Sequence, residues 1–258
     1  MSKRGSFFNC GGCAVTLLET PADLQTMLGL PGVAAEEGAD AVAIDISCIP
    51  LEERTVENFR RTVESTSLPC MFICYRSDNF LTDNDAARQE YLLRAAEAGA
   101  EVIDVMGDLY APAERELTMD AEAIAAQKAL IARIHGLGAK VIISSHFQHG
   151  TMPPEEVLAH LREQRSRGAD ICKLVIRADN EDEFHNALCA LSLLKKEFSH
   201  PFVFLCGGRF ARLFRYIGLK SGVAIQFAVR ESKRHNDGVP QPSIKSFLNI
   251  RDNLDWSL

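Results

Sequence analysis

Apolar and polar positions along the chain alternate between two rhythms. Residues 13–18, 41–46, 70–75, 102–105, 141–144, 171–176, 202–205 and 223–229 form short, almost continuously apolar runs, the pattern of strands buried on both faces of a parallel sheet. Between them, at 21–37, 56–65, 84–98, 121–137, 154–167, 181–198 and 210–219, apolar residues recur every three to four positions, as on the inner face of a helix. A last stretch of this kind, 243–253, follows the eighth strand.

Gly38-Ala39-Asp40, Gly99-Ala100-Glu101, Gly138-Ala139-Lys140 and Gly168-Ala169-Asp170 each stand where a helix gives way to a strand. Glycine there admits the left-handed backbone that ends a helix. Separations of 61, 39 and 30 residues correspond to two, one and one strand–helix units. Eight strands, each followed by a helix, predict a single-domain (β/α)8 TIM barrel over 1–258. Residues 1–12 are then an N-terminal extension and about 231–242 a long loop after the eighth strand. An open doubly wound sheet is the alternative, but no G-x-G-x-x-G or phosphate-binding glycine loop follows any strand.

Composition narrows the function. The chain is 47% hydrophobic with a formal net charge of -7 and a pI near 5.6, which argues against nucleic acid or an anionic membrane as partner and favours a small molecule. Neither a membrane-length apolar run nor the apolar segment of a signal peptide is seen, so a cytoplasmic location is expected. Five of the eight cysteines sit in or beside strands, where reduced thiols behave as small apolar residues. Cys10-Gly-Gly-Cys13 lacks a second pair or nearby histidine and reads as a turn into the first strand rather than a metal or redox site.

One residue disturbs the apolar pattern. Lys173 stands inside Ile171-Cys172-Lys173-Leu174-Val175-Ile176, where an ammonium is costly to bury. Other polar residues fall at the C-terminal ends of strands, where barrel active sites lie: Arg76 after the third strand and His146 after the fifth. Arg215 falls in the helix after the seventh strand and Gln241 in the loop after the eighth. A lysine enclosed in the barrel near arginines is expected to have its ammonium disfavoured, giving an amine that attacks a carbonyl to form a Schiff base. Histidine suits removal of the proton beside the resulting imine, and two arginines suit a carboxylate. Alternatively, Lys173 could leave the barrel to pair with a carboxylate, His146 and His149 could be polar loop residues, and Arg76 could pair with Asp104 or Asp45.

Tyr75-Arg76-Ser77, Ser145-His146-Phe147-Gln148-His149-Gly150-Thr151-Met152-Pro153, Gly168-Ala169-Asp170-Ile171-Cys172-Lys173 and Arg215-Tyr216-Ile217-Gly218, with Phe227 and Gln241, resemble the type I 3-dehydroquinate dehydratases of the shikimate and quinate pathways. The 27 residues from His146 to Lys173 match as well. The resemblance implies Lys173 as the Schiff-base lysine and His146 as the general acid/base. It implies Arg215 as the clamp on a substrate carboxylate, Arg76 as a second polar contact, Phe227 as an apolar wall and Gln241 as part of a lid. It further implies no metal, no organic cofactor and a homodimer as the common assembly.

The chain departs from the family's pattern in three places. Phe80 replaces the glutamate that orients the histidine. Ala43-Ile44-Asp45-Ile46-Ser47 replaces a Glu-x-Arg-x-Asp pattern that contacts substrate hydroxyls. Asp237 replaces a serine in the lid. Asp45 or Asp78 could stand in for the missing carboxylate, and Asp45 is taken as a substrate contact. The reading is a Schiff-base hydro-lyase. Its alternatives are a related lyase or aldolase acting on another carboxylated ketone, and a barrel that binds a carboxylate without turnover.

Overall fold

Eight parallel strands surround one axis in the order β7-β6-β5-β4-β3-β2-β1-β8. They are seen in a computed structural model that describes residues 5–9, 11–78, 80–81, 84–231 and 241–254. The elements are β1 (Ala14–Glu19), α1 (Leu24–Glu36), β2 (Ala41–Asp45), α2 (Val56–Glu64), β3 (Cys70–Ile73), α3 (Asp85–Glu97), β4 (Val102–Met106) and α4 (Ala121–Gly136). The second half comprises β5 (Lys140–His146), α5 (Pro154–Ser166), β6 (Ile171–Arg177), α6 (Glu181–Glu197), β7 (Phe202–Gly207), α7 (Ala211–Gly218), β8 (Ile225–Ala228) and α8 (Ile244–Asn253). The ring is brought to closure where Ala224 N donates to Phe202 O at 2.8 Å. This is the (β/α)8 barrel expected from the sequence.

Local chemistry sets the boundaries. Asp23, Thr55, Asn84, Asp120, Asn180 and Ser243 each accept a backbone N–H with the side chain at a helix start. Gly38, Gly99, Gly138 and Gly168 all have positive φ at the following ends. Two 3₁₀ turns, Ile46–Cys48 and Leu51–Glu53, escaped the sequence reading. Asp45 starts the first by accepting from Ser47 N at 3.0 Å, so β2 ends before the apolar Ile46.

Alternation along the strands divides two apolar layers. Ala14, Ala41, Ala43, Met71, Ile73, Val102, Ile142, Ile171, Val175, Val203, Leu205, Ile225 and Phe227 fill the barrel interior, and Phe7 from the extension joins them. Ser6 Oγ and Phe7 N both donate to Glu101, whose position just before β4 fixes the extension at the N-terminal end of the barrel. The larger layer lies between strands and helices. Cys48, Cys74, Cys172, Cys189 and Cys206 are free thiols, while Cys10 and residues 232–240 of the lid loop expected at about 231–242 lie outside the described residues. Among the described residues no helix is long and apolar enough to cross a membrane.

Candidate active site

The period of two along β6 explains the lysine. Ile171 and Val175 belong to the interior layer while Cys172, Leu174 and Ile176 pack beneath the helices, so Lys173 points inward. It is 5% exposed. Its Nζ lies 3.6 Å from Asp104 Oδ2 and 5.1 Å from the centre of the Phe227 ring. Ser144 Oγ donates to the same Asp104 oxygen at 2.7 Å. The Phe227 ring is therefore a wall facing the lysine nitrogen, and the lysine's nearest ionic neighbour is a carboxylate rather than the arginines expected from sequence.

The same alternation turns His146, the last residue of β5, toward the cavity above Lys173. That cavity, about 350 Å³, is lined by Asp45, Tyr75, Glu116, His146, Gln148 and Lys173 among others. His146 Nδ1 is 2.8 Å from Glu116 Oε2 and 2.8 Å from Tyr75 Oη. Its backbone N–H donates to the same carboxylate oxygen at 2.9 Å. Tyr75 Oη also donates to Glu116 Oε2, at 3.1 Å.

Burial and the neighbouring Lys173 push the imidazole below its ordinary range, while Glu116 and Asp104 act the other way. Burial would raise Glu116, but the hydrogen bonds and charge of His146 and the Tyr75 hydroxyl bring it below its usual value. Tyr75 is held far above the usual phenol range by burial and by surrounding carboxylates. At neutral pH the constellation is an ionised Glu116, a neutral Tyr75 and a neutral His146.

Glu116 was not found from the sequence. It sits neither on a strand nor directly after one, but in the segment between β4 and α4, residues 107–120. One signal was available, the unusual length of that connection. Neither Asp45 nor Asp78 takes this part. Asp78 is buried against Arg54 Nη1 at 2.5 Å. Asp45 lines the cavity, but its carboxylate accepts from both the backbone and hydroxyl of Ser47, and burial raises its pKa.

The other expected contacts are dispersed. Arg76 is held by Asp108 Oδ1 at 2.6 Å, Asp85 Oδ2 at 2.9 Å and the Asp108 carbonyl at 2.8 Å. Its ion pairs are thus with Asp85 and Asp108 rather than Asp104 or Asp45, and it does not line the cavity. Arg215 is buried on α7, with Nε and Nη1 lacking a hydrogen-bond partner among the described residues. Burial draws it down from 12.5 to about 10, with the nearby Cys206 opposing. Gln241 is half-buried beside the undescribed segment. His149 is exposed in the loop after β5, with its ring edge-on to Phe147.

Comparison with known proteins agrees with this architecture. The chain is 22% identical over 255 residues to the 3-dehydroquinate dehydratase of Clostridium novyi, covering 88% of this chain and 98% of that protein. It is 32% identical over 124 residues to that of Alkaliphilus oremlandii, 48% of each chain. Among solved structures, the Clostridium difficile type I 3-dehydroquinate dehydratase with covalently modified comenic acid superposes with a TM-score of 0.77 at 17% identity, over 93% of this chain and 91% of that one. The Enterococcus faecalis 3-dehydroquinate dehydratase gives 0.76 at 16%, over 95% of both. These structural likenesses establish the fold. The family assignment comes from the sequence itself, whose residues 20–255 match the profile of the type I 3-dehydroquinases. On that match, spanning all eight helices and most of the barrel, the chain belongs to the type I 3-dehydroquinase family.

Proposed function

We propose that the protein eliminates water from 3-dehydroquinate to give 3-dehydroshikimate, through an imine on Lys173. The observation that carries this reading is an inward lysine and an anchored histidine facing one cavity of about 350 Å³. Lys173 Nζ adds to the ketone carbon, the carbonyl oxygen departs as water, and a cationic imine forms beside the Asp104 carboxylate. His146, neutral and with Nδ1 engaged, uses Nε2 to take the proton from the carbon next to the imine. The electron pair released becomes a carbon–carbon double bond as the hydroxyl on the following carbon leaves, taking its proton from the same imidazole. Water then hydrolyses the imine and frees Lys173.

A second reading keeps this chemistry and changes the substrate. Asp45 lines the cavity, and Arg76 is occupied by two carboxylates. These features favour a carboxylated ketone with a different arrangement of hydroxyls, since buried polar groups discriminate strongly between such substrates.

Incubation with 3-dehydroquinate and borohydride, followed by peptide mass mapping, separates the readings. A reduced adduct on Lys173, with product absorbance in the absence of borohydride and loss of both in Lys173→Met, is the expected result. An adduct without product favours the second reading, and no adduct with any cyclic ketone refutes the Schiff-base chemistry.

A further inference from the structure

Glu116 lies in a conformation that glutamate does not choose. Its φ is 45°, in the left-handed region where a side chain is strained. Such a conformation persists only if its surroundings fix it, and here they do so from several sides. Ser145 Oγ donates to the Glu116 carbonyl at 2.6 Å, and Gln164 on α5 donates to Ser145 Oγ at 2.9 Å while also binding the Lys173 carbonyl at 2.9 Å. Arg167 grips both ends of the segment, donating to the carbonyls of Gly107 at 2.9 Å and Thr118 at 2.5 Å. Gly107 lets the segment come this close: a Cβ there would stand 2.4 Å from the Glu116 carbonyl oxygen. Arg115, the preceding residue, is tied outward to Glu156 at 2.6 Å.

All this delivers one carboxylate to His146. With Glu116 ionised, the three contacts among its Oε2, Tyr75 Oη and His146 Nδ1 admit one proton arrangement: Nδ1–H lies between the carboxylate and the phenol oxygen, and the phenol hydrogen points to the carboxylate. The Nε2 lone pair is then free on the cavity side. The carboxylate also offsets the charge of an imidazolium formed during turnover.

We propose that Glu116 is the positioning residue of His146, supplied by the β4–α4 connection, and that backbone strain at Glu116 is the cost of placing it there. The proposal deepens the Schiff-base reading and rests on it for its kinetic arm. A structural arm is independent of any substrate.

The experiment uses the full chain in three forms: wild type, Glu116→Gln and Glu116→Gly. Nitrogen-15 histidine spectra are recorded against pH without substrate. The expected wild-type signal is the Nδ1–H tautomer for His146. In Glu116→Gln the imidazole titrates at lower pH, because the carboxylate that favours its charged form is gone while Lys173 and burial remain. In Glu116→Gly the tautomer preference is lost, yet the melting temperature is equal to or above that of wild type, because glycine relieves the positive φ.

With the substrate of the preceding section, kcat falls by about 10²-fold or more in both variants while KM changes little, since the lost contact acts on the transition state. An unchanged His146 titration in Glu116→Gln overturns the assignment. So does a Glu116→Gly protein that loses stability and activity in parallel, which would mark Glu116 as scaffold alone. If wild type turns over no ketone, the functional reading fails, and the histidine spectra still decide the role of Glu116.

Discussion

His160 offers a quantitative test of how the site is supported. It lies on the inner face of α5, 6% exposed, four residues before the Gln164 that holds Ser145 and the Lys173 carbonyl. Its Nε2 has no hydrogen-bond partner among the described residues. Burial, then Arg115 and Arg167, hold the ring well below its ordinary 6.5, at about 4, with Glu116 offsetting only part of this. The native protein therefore refuses a proton that the unfolded chain accepts. Stability is whole above pH 6.5, falls as pH drops from 6.5 to 4, and levels off below that.

The linkage gives a loss of about 2 kcal/mol by pH 5 and about 3 kcal/mol by pH 4, relative to pH 7. Replacing His160 by leucine, of similar volume and without a titrating group, removes this contribution. Urea unfolding of both proteins at pH 7, 6, 5 and 4 gives the free-energy difference at each pH. Contributions from other acids and from His146 cancel in that difference. The difference is expected to move in favour of His160→Leu by those amounts, whatever its starting value at pH 7. A difference that stays flat would show that the ring is hydrogen-bonded or hydrated in solution, and the reasoning would be refuted.

Two further substitutions bear on the site. Arg215→Met should stabilise the fold by about 1–3 kcal/mol, because it removes a buried guanidinium two of whose nitrogens have no hydrogen-bond partner among the described residues. Thermal unfolding of the two proteins checks this, and a destabilised variant would refute it. Gly107→Ala should cost about 1–3 kcal/mol and lower turnover, because the new methyl meets backbone that cannot retreat from the Arg167 contacts. Equal stability with full activity would show that the β4–α4 segment adapts freely.

The barrel was legible because its signals are local. Strand runs and helix periods repeat eight times, and the glycines before four of the strands do have the backbone that ends a helix. Lys173 and His146 were legible for the same reason: each lies in or at the end of a recognisable strand, so the alternation that buries Ile171 and Val175 also aims the lysine. Glu116 was not, because the contact between Glu116 and His146 spans 30 residues and depends on a left-handed turn that glutamate's own preferences oppose. Arg76 shows the converse. Its place after β3 is visible in the sequence, but its partners Asp85 and Asp108 come from a helix start and a loop whose approach no strand-end rule anticipates.

The ladder is continuous from β7 round to β8 through the other six strands, and the two end strands meet through the Ala224–Phe202 bond ahead of β8. A ring joined this way has one seam that can part without dismantling a ladder, as a hoop gives at its clasp. The seam lies between the strand leading into the Arg215 helix and the strand carrying Phe227, so any breathing of the barrel widens it beside the lysine's apolar wall. Amide exchange along β7 and β8 should accordingly outpace that of β4 and β5, and occupancy of the cavity should draw the two rates together.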